Sequence, residues 1–334
     1  MTSKERCIAV LEGRKPDRTP VFPLLMGYAA KKAGLSYRQF ASDGRYMAQA
    51  QLNIIKCFDI DAITACSDAF RISADLGGEI VFHDNTPPHI RQPIIQSRSD
   101  LKSLGKIDVT RKGSRCADRI LGVSEMVRAA GHSHYVLGWV DFPFAEACSC
   151  CGVQQFMFMM MDEPELAHEI LGFLTDIVID FALAQLEQGA PMIGCGDAAA
   201  SLVSPDMFRE FALPYEKRVV EAIRARGGLV KTHICGNTSA ILEDIASNGA
   251  DLYNVDHLVD LGKAACVYNG ASRALKGNID PVSDMLSVSP EHTYAAVRKC
   301  IELAGGCKYF LSPGCEVPLG IDDENMKAFC SAVR

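Results

Sequence analysis

The chain has 334 residues and a mass of 36.3 kDa, is 48% hydrophobic and 22% charged, and has a mean hydropathy of +0.07. These values describe one large globular core and exclude disorder as the general state, because low hydrophobicity and high charge are both missing. A net charge of −7 and a pI near 5.7 exclude a sequence-independent nucleic-acid binder, which needs a basic face.

No run approaches 18 consecutive apolar residues, so no transmembrane span is predicted. The opening MTSKERCIAVLEGRKPDRTP carries charges where a signal peptide needs an apolar core, so a cytoplasmic protein is expected. Its 14 cysteines are then expected to be reduced thiols.

In chain order, a first helix is predicted from Lys4 to Gly13, followed by a strand in the run TPVFPLL after Arg18. A helix from Arg45 to Phe58 precedes a short strand at Asp61 to Ala65. The segment from Gly78 to Ile95 reads as a β-hairpin with Asn-Thr-Pro-Pro as its turn. Tyr135 to Val140 is a strand, helices follow through Leu186, and Pro191 to Asp197 is the next strand.

Ser204-Pro205-Asp206 is a helix start, with an N-cap serine, proline at the first position and an acid in the first turn. That helix is expected to run to Gly227. Leu229 to Cys235 is a strand, and Thr238 to Asn248 is a helix ended by Gly249. Strands at Asp251 to Asp256, Ala274 to Asp280 and Lys308 to Cys315, and a helix at Asp322 to Val333, complete the pattern. Strands and helices alternating at this interval predict a parallel sheet. Without a glycine-rich phosphate loop after the first strand, a closed (β/α)8 TIM barrel is favoured over an open doubly wound sheet. The expected architecture is a single α/β domain, residues 1–334, with an amino-terminal helical extension and a β-hairpin insertion.

A barrel collects its chemistry at the carboxyl ends of the strands. Those positions are Asp141, Asp197, His233 with Cys235, Asp256 with His257, Asp280 and Cys315. His233 and Cys235 are two apart on a strand, so both side chains leave on one face. With Cys315 from another strand end they form a donor set suited to zinc, and three protein ligands leave a fourth position exchangeable. The structural reading of the same residues is that Cys235 and Cys315 are buried core thiols.

Cys148, Cys150 and Cys151 sit in ACSCCG within a predicted helix, where adjacent side chains diverge; a second metal there is not favoured. The other cysteines, Cys307 among them, and His83, His89, His132 and His134 read as structural or surface residues. Asp197 either caps its turn or orients substrate or a zinc ligand. Asp256 either caps the next loop or supplies a displaceable fourth zinc ligand, and Asp280 braces a loop or contacts substrate. Trp139, Asp141, Phe142 and Phe144, with the Phe156–Met161 run, are candidate walls of a substrate pocket.

At THICGNTSAIL around His233, SPGC ending at Cys315, GNIDP from Gly277 and GDAAASLVSPDMFREFALPY from Gly196, the chain resembles the uroporphyrinogen decarboxylase superfamily. The resemblance is nearest to its cobamide-dependent methyltransferase branch, which includes coenzyme M methyltransferases and bacterial O-demethylase methyltransferases. It implies a TIM barrel, zinc held by His233, Cys235 and Cys315, and Asp256 where the coenzyme M enzymes have a glutamate. Two departures from the decarboxylases stand out. The arginine pair that binds the acidic macrocycle is replaced by LLMGYAAKKAGLS, and a GPFTLA-like segment by DFPFAEACSC.

The resemblance implies methyl transfer between a small substrate and cobalt. The apolar wall candidates favour a phenyl methyl ether over a thiol acceptor such as coenzyme M. No Asp-x-His-x-x-Gly motif occurs, so the corrinoid is expected on a separate partner protein. Uroporphyrinogen decarboxylation and a non-catalytic zinc-binding barrel are the alternatives.

Overall fold

The computed structural model describes residues 1–306 and 308–334; Cys307 lies outside the described residues. Strand β1 (Ala62–Thr64) is followed by a short antiparallel hairpin, β2 (Ile80–Val81) with β3 (His89–Ile90). Then come β4 (Tyr135–Asp141), β5 (Met192–Gly196), β6 (Leu229–Ile234), β7 (Leu252–Val255), β8 (Ala274–Ile279) and β9 (Tyr309–Pro313). Among the described residues, seven of these pair in parallel in the order β1-β4-β5-β6-β7-β8-β9, with helices between them.

The run Thr19–Leu25 closes the ring. Phe22 N–H donates to Leu311 O at 2.8 Å, Leu311 N–H to Pro20 O at 2.9 Å, and Asp61 N–H to Val21 O at 2.8 Å. Parallel bridges join Val21 to Leu311 and Leu24 to Glu316. The run therefore lies between β9 and the start of β1 and completes the (β/α)8 barrel. It is not a regular strand because Pro20 and Pro23 have no N–H to give.

Asp61 pins this closure. Fully buried, its Oδ2 accepts from Val21 N–H at 2.7 Å and from Arg18 Nη1 at 2.7 Å, and its Oδ1 accepts from Arg6 Nη1. Arg6 comes from the first helix, Ser3–Leu11, whose start is a capping box between Thr2 and Glu5. That helix sets Cys7 and Val10 against Phe22, Leu137, Met192, Leu252 and Phe310, so the lower end of the barrel is plugged with apolar side chains.

Several elements depart from the sequence pattern. Helices at Gly27–Lys32, Tyr37–Ser42, Arg71–Asp75, Arg98–Ser103 and Arg115–Ala130 fill stretches for which none is predicted. The helix begun by Ser204 does not run unbroken. Three α residues, Pro205–Met207, pass into a π turn at Phe208–Ala212 before Leu213–Ala225. Pro214 explains this: without an N–H it cannot complete the i→i−4 ladder, and the preceding turn widens. The expected helix from Thr238 is helical only over Leu242–Ala246, since Ser239 N–H is taken by Asn237 Oδ1 in a turn. Among the described residues no helix is long and apolar enough to cross a membrane.

Asp61→Ala would leave buried Arg6 and Arg18 nitrogens and the Val21 N–H without their shared acceptor. A loss of about 3 kcal/mol or more is expected in denaturant unfolding. A change within about 0.5 kcal/mol would show that the closure does not depend on this carboxylate.

Candidate metal centre and substrate cavity

Residues two apart on each strand face the barrel interior, and the register sorts them into layers. Above the apolar plug, Trp139 is level with Gly194 and Gly194 with Lys231. One layer higher, Asp141 is level with Gly196 and Gly196 with His233. The glycines make room for an indole: a Cβ at Gly194 would come within 2.6 Å of the Trp139 ring.

His233, Cys235 and Cys315 converge as the strand spacing predicts. Their donor atoms all lie within 4.8 Å of one another. Cys235 Sγ is 3.0 Å from His233 Nε2 and 3.2 Å from Cys315 Sγ. His233 Nδ1 lies 3.3 Å from the Asn254 carbonyl, a partner that places the proton on Nδ1 and turns Nε2 toward the sulfurs. Contact with the Cys235 thiol, and then with His233, lowers the Cys315 thiol to about 3 against the cost of burial. The donor chemistry fits zinc. Two thiolates on a tetrahedral ion sit about 3.8 Å apart, a small outward shift from the observed pair.

Two glycines make this convergence sterically possible. Gly236 has φ +89° and faces Ser201, whose Oγ would be 2.8 Å from an added Cβ. Gly314 packs on backbone: a Cβ there would lie 2.3 Å from His257 N, so the loops after β7 and β9 touch just before Cys315.

Asp256 does not belong to the group of donors that converge among the described residues. Its Oδ1 accepts from Leu258 N–H at 3.0 Å and lies 3.0 Å from His257 Nδ1. This is the loop-capping arrangement. Asp280 likewise accepts from Val282 and Ser283 N–H at 2.8 and 3.1 Å, with its second oxygen 3.7 Å from His257 Nε2.

A cavity of about 470 Å³ opens at the same end of the barrel as the donors, although none of the three lines it. Phe70, Ile90, Ala145, Val153, Ala199 and Leu202 supply apolar walls, and Asp141, Ser149 and His89 the polar ones. The hairpin thus contributes an edge of the mouth. Asp141 Oδ2 is buried without a hydrogen-bond partner among the described residues, 4.0 Å from Arg71 Nη1. Burial raises the Asp141 carboxyl to about 6 in spite of Arg71. Trp139 stands between cavity and donors, its Nε1 3.4 Å from Asp141 Oδ1 and its ring 6.5 Å from that of His233.

The phenylalanines expected on these walls are elsewhere. Phe142 and Phe144 are wholly buried in the main core, Phe144 edge-on to Phe156 at 5.6 Å. Pro143 starts a helix directly after β4, which turns both rings outward from the barrel. The Phe156–Met161 run splits between core (Phe156, Met159, Met160) and solvent (Phe158, Met161). Cys148 touches the cavity, while Cys150 and Cys151 are core thiols.

Asp197 is fully buried and close to buried Glu216. Burial, then Glu216, raises the Asp197 carboxyl well above its ordinary value, and burial raises Glu216 to about 7. The pair is held by Asn248, whose Nδ2 donates to Glu216 Oε2 at 2.8 Å. Asp197 is therefore a core acid behind the His233 strand, to which it is tied by its own N–H on His233 O at 2.9 Å.

The sequence reading also missed a buried ion cluster. Asp68 accepts from Arg115 Nη1 at 2.8 Å and lies within 4.0 Å of Arg71 and Arg119. Burial alone would raise this carboxyl, but Arg115 and Arg71 hold it far below the carboxylate range. Asp68 stands four residues past the end of β1, and Arg71 is its i+3 neighbour; the arrival of Arg115 and Arg119 from a distant helix has no sequence marker.

Glu216→Gln tests the buried acid pair. A carboxyl raised from 4.5 to about 7 leaves the fold unpenalised below pH 4.5 and costs stability as pH rises toward 7, where the unfolded chain ionises freely. The variant, which cannot ionise, should gain melting temperature relative to wild type between pH 5 and pH 8. A pH-independent difference would contradict the assignment.

The family model for uroporphyrinogen decarboxylase (URO-D) matches residues 2–334. The chain is 28% identical over 319 residues to the uroporphyrinogen decarboxylase of Xanthomonas euvesicatoria pv. vesicatoria, covering 90% of this chain and 88% of the relative. It is 28% identical over 309 residues to that of Nocardia farcinica, covering 89% and 84%. Among solved structures, a methyltransferase from Methanosarcina mazei superposes with a TM-score of 0.89 at 22% identity, over 99% of this chain and 98% of the other. A B12-independent methionine synthase from Shewanella sp. W3-18-1 superposes at 0.61 and 11% identity, over 94% of each chain. By a family match that spans almost every residue, the chain belongs to the uroporphyrinogen decarboxylase (URO-D) family.

Proposed function

We propose that the protein is a zinc-dependent methyltransferase that passes a methyl group between a small substrate, favoured as a phenyl methyl ether, and the cobalt of a separate corrinoid protein. The observation that carries this reading is the convergence of His233, Cys235 and Cys315 at the end of the barrel where a largely apolar cavity also opens. The likeness to a methyltransferase in fold supports it.

In this reading His233 Nε2 and the two sulfurs hold the metal, with the Asn254 carbonyl fixing the imidazole tautomer. Zinc bound there would supply Lewis acidity toward an ether oxygen, and methyl transfer to the partner's cobalt(I) would leave the C–O electron pair on the aryl oxygen. The cavity walls exclude water from the arene, and Trp139 separates the arene's outer end from the donor group. Asp141 lines the cavity, and turning its unpaired Oδ2 toward the opening would let it accept a hydrogen bond from a substrate hydroxyl. Asp256 remains the candidate to close the metal shell only if its loop rearranges.

A thiol acceptor is the second reading of the same centre. Decarboxylation of uroporphyrinogen is disfavoured by charge. Arg115 is bonded to Asp68, Arg71 and Arg119 are buried against Asp68 and Ser67, and Lys31 and Lys32 of the altered early segment bind Leu319 O and Asp323. The substrate's carboxylates would need cations that are free to meet them.

Two outcomes are expected. The purified protein should carry one zinc per chain, and Cys235→Ala should lose it while its melting temperature falls little, because the barrel core does not depend on the metal. Zinc retained by that variant would overturn the ligand assignment. Mixed with cobalt(I) cobalamin, the zinc protein should consume the cobalt(I) absorbance with methoxyarenes. Turnover of uroporphyrinogen to coproporphyrinogen, without methyl transfer from any ether or methanol or to any thiol, would overturn the reading.

A further inference from the structure

Lys231 has no ordinary reason to be where it is. It is fully buried inside the barrel, and its Nζ has no hydrogen-bond partner among the described residues. It lies over the Trp139 ring at 4.5 Å and farther from Phe22, at 5.8 Å. Aromatic faces attract an ammonium, but only in part do they replace the water that it loses. Removing a cation from water without a counter-charge destabilises a fold. Something nearby must offset that cost, or the charge must serve the site.

The groups that face it narrow the choice. Cys66, Cys195, Cys235 and Cys315 are the acidic groups that act on Lys231. Burial holds Cys66 and Cys195 as neutral thiols. Lys276, the other buried cation near the Phe22 ring, donates to Asn254 Oδ1 at 2.7 Å, and burial and then Lys231 disfavour its charge. Held as thiolates by a metal, Cys235 and Cys315 become the anions that Lys231 can serve. Lys231 is two residues before His233 on β6 and four before Cys235, which directly follows that strand, so it enters the barrel on the same side, one strand period below His233. At that distance it acts through its field, in a medium from which water is excluded.

We propose that Lys231 is a positioning residue whose buried ammonium makes the open position of a metal held by His233, Cys235 and Cys315 select an anionic ligand over a neutral one. This rests on the metal reading above and extends it to the class of substrate. A zinc with two thiolates and a neutral imidazole carries no net charge and has little preference for an anion. The ammonium beneath restores one positive charge to the site. It favours the group that is negative when bound or when it departs, a phenolate or a thiolate.

The test uses the cobalt(II)-substituted protein, whose visible spectrum reports the fourth ligand. Azide and imidazole are the probes: both bind through nitrogen, and only azide is charged. Lys231→Met should weaken azide about tenfold or more and leave imidazole within about twofold, while melting temperature stays level or rises as an unpartnered ammonium is removed. Lys231→Leu serves as the second variant if the methionine variant does not accumulate folded. Unchanged azide affinity, or equal weakening of azide and imidazole, would overturn the proposal and leave the metal reading standing. A wild-type protein that binds no cobalt, or Cys235→Ala that still binds it, would overturn the metal reading and the proposal with it.

Discussion

The constraint on which the rest depends is the two-residue period of strands closed into a ring. Every second side chain must enter one narrow, shared interior, and water cannot follow it. The lower layer meets that constraint with apolar residues, sealed by the first helix. The upper layers break it with Lys231, Lys276, Asn254 and Asp141, all buried. Polar groups in a sealed interior need partners, and the partners available are the aromatic faces, one another, and whatever the mouth binds. The same period brings His233 and Cys235 to one side and lets Cys315 complete the group.

The mouth is divided rather than single. Trp139 packs over Gly194 and Gly196 and stands between the sulfur and imidazole donors and the apolar cavity. On one side the chemistry is soft donors and a buried cation. On the other it is hydrocarbon walls with one carboxyl oxygen unpaired. That division suits a ligand with a reacting end and an apolar body. It fits less well a large polyanion, for which the arginines nearest the mouth are buried against Asp68 and Ser67.

How much of this was legible beforehand depends on range. Spacing within one strand is a local property, so His-x-Cys on β6 and the strand end at Cys315 were readable, and the alternation of elements announced the barrel. Closure by Thr19–Leu25 was also readable as a strand, although its prolines reduce it to bridges. What failed was anything decided by the turn after a strand. Pro143 sends Phe142 and Phe144 into the core; of the two roles open to Asp256, the capping one was readable, and the loop after β7 selects it by turning the carboxylate onto Leu258 N–H. The acid pair of Asp197 and Glu216, the arginines on Asp68 and the exposed half of the Phe156–Met161 run arise from packing between distant elements. No one-dimensional pattern carries that information.

The central claim is that three named side chains form an open zinc site at the barrel mouth. X-ray absorption at the zinc edge of the purified protein tests it most directly. The expected shell has two sulfurs at about 2.3 Å, one imidazole nitrogen at about 2.0 Å and one exchangeable light atom. A shell of four sulfurs, a shell without sulfur, or no stoichiometric zinc would contradict it.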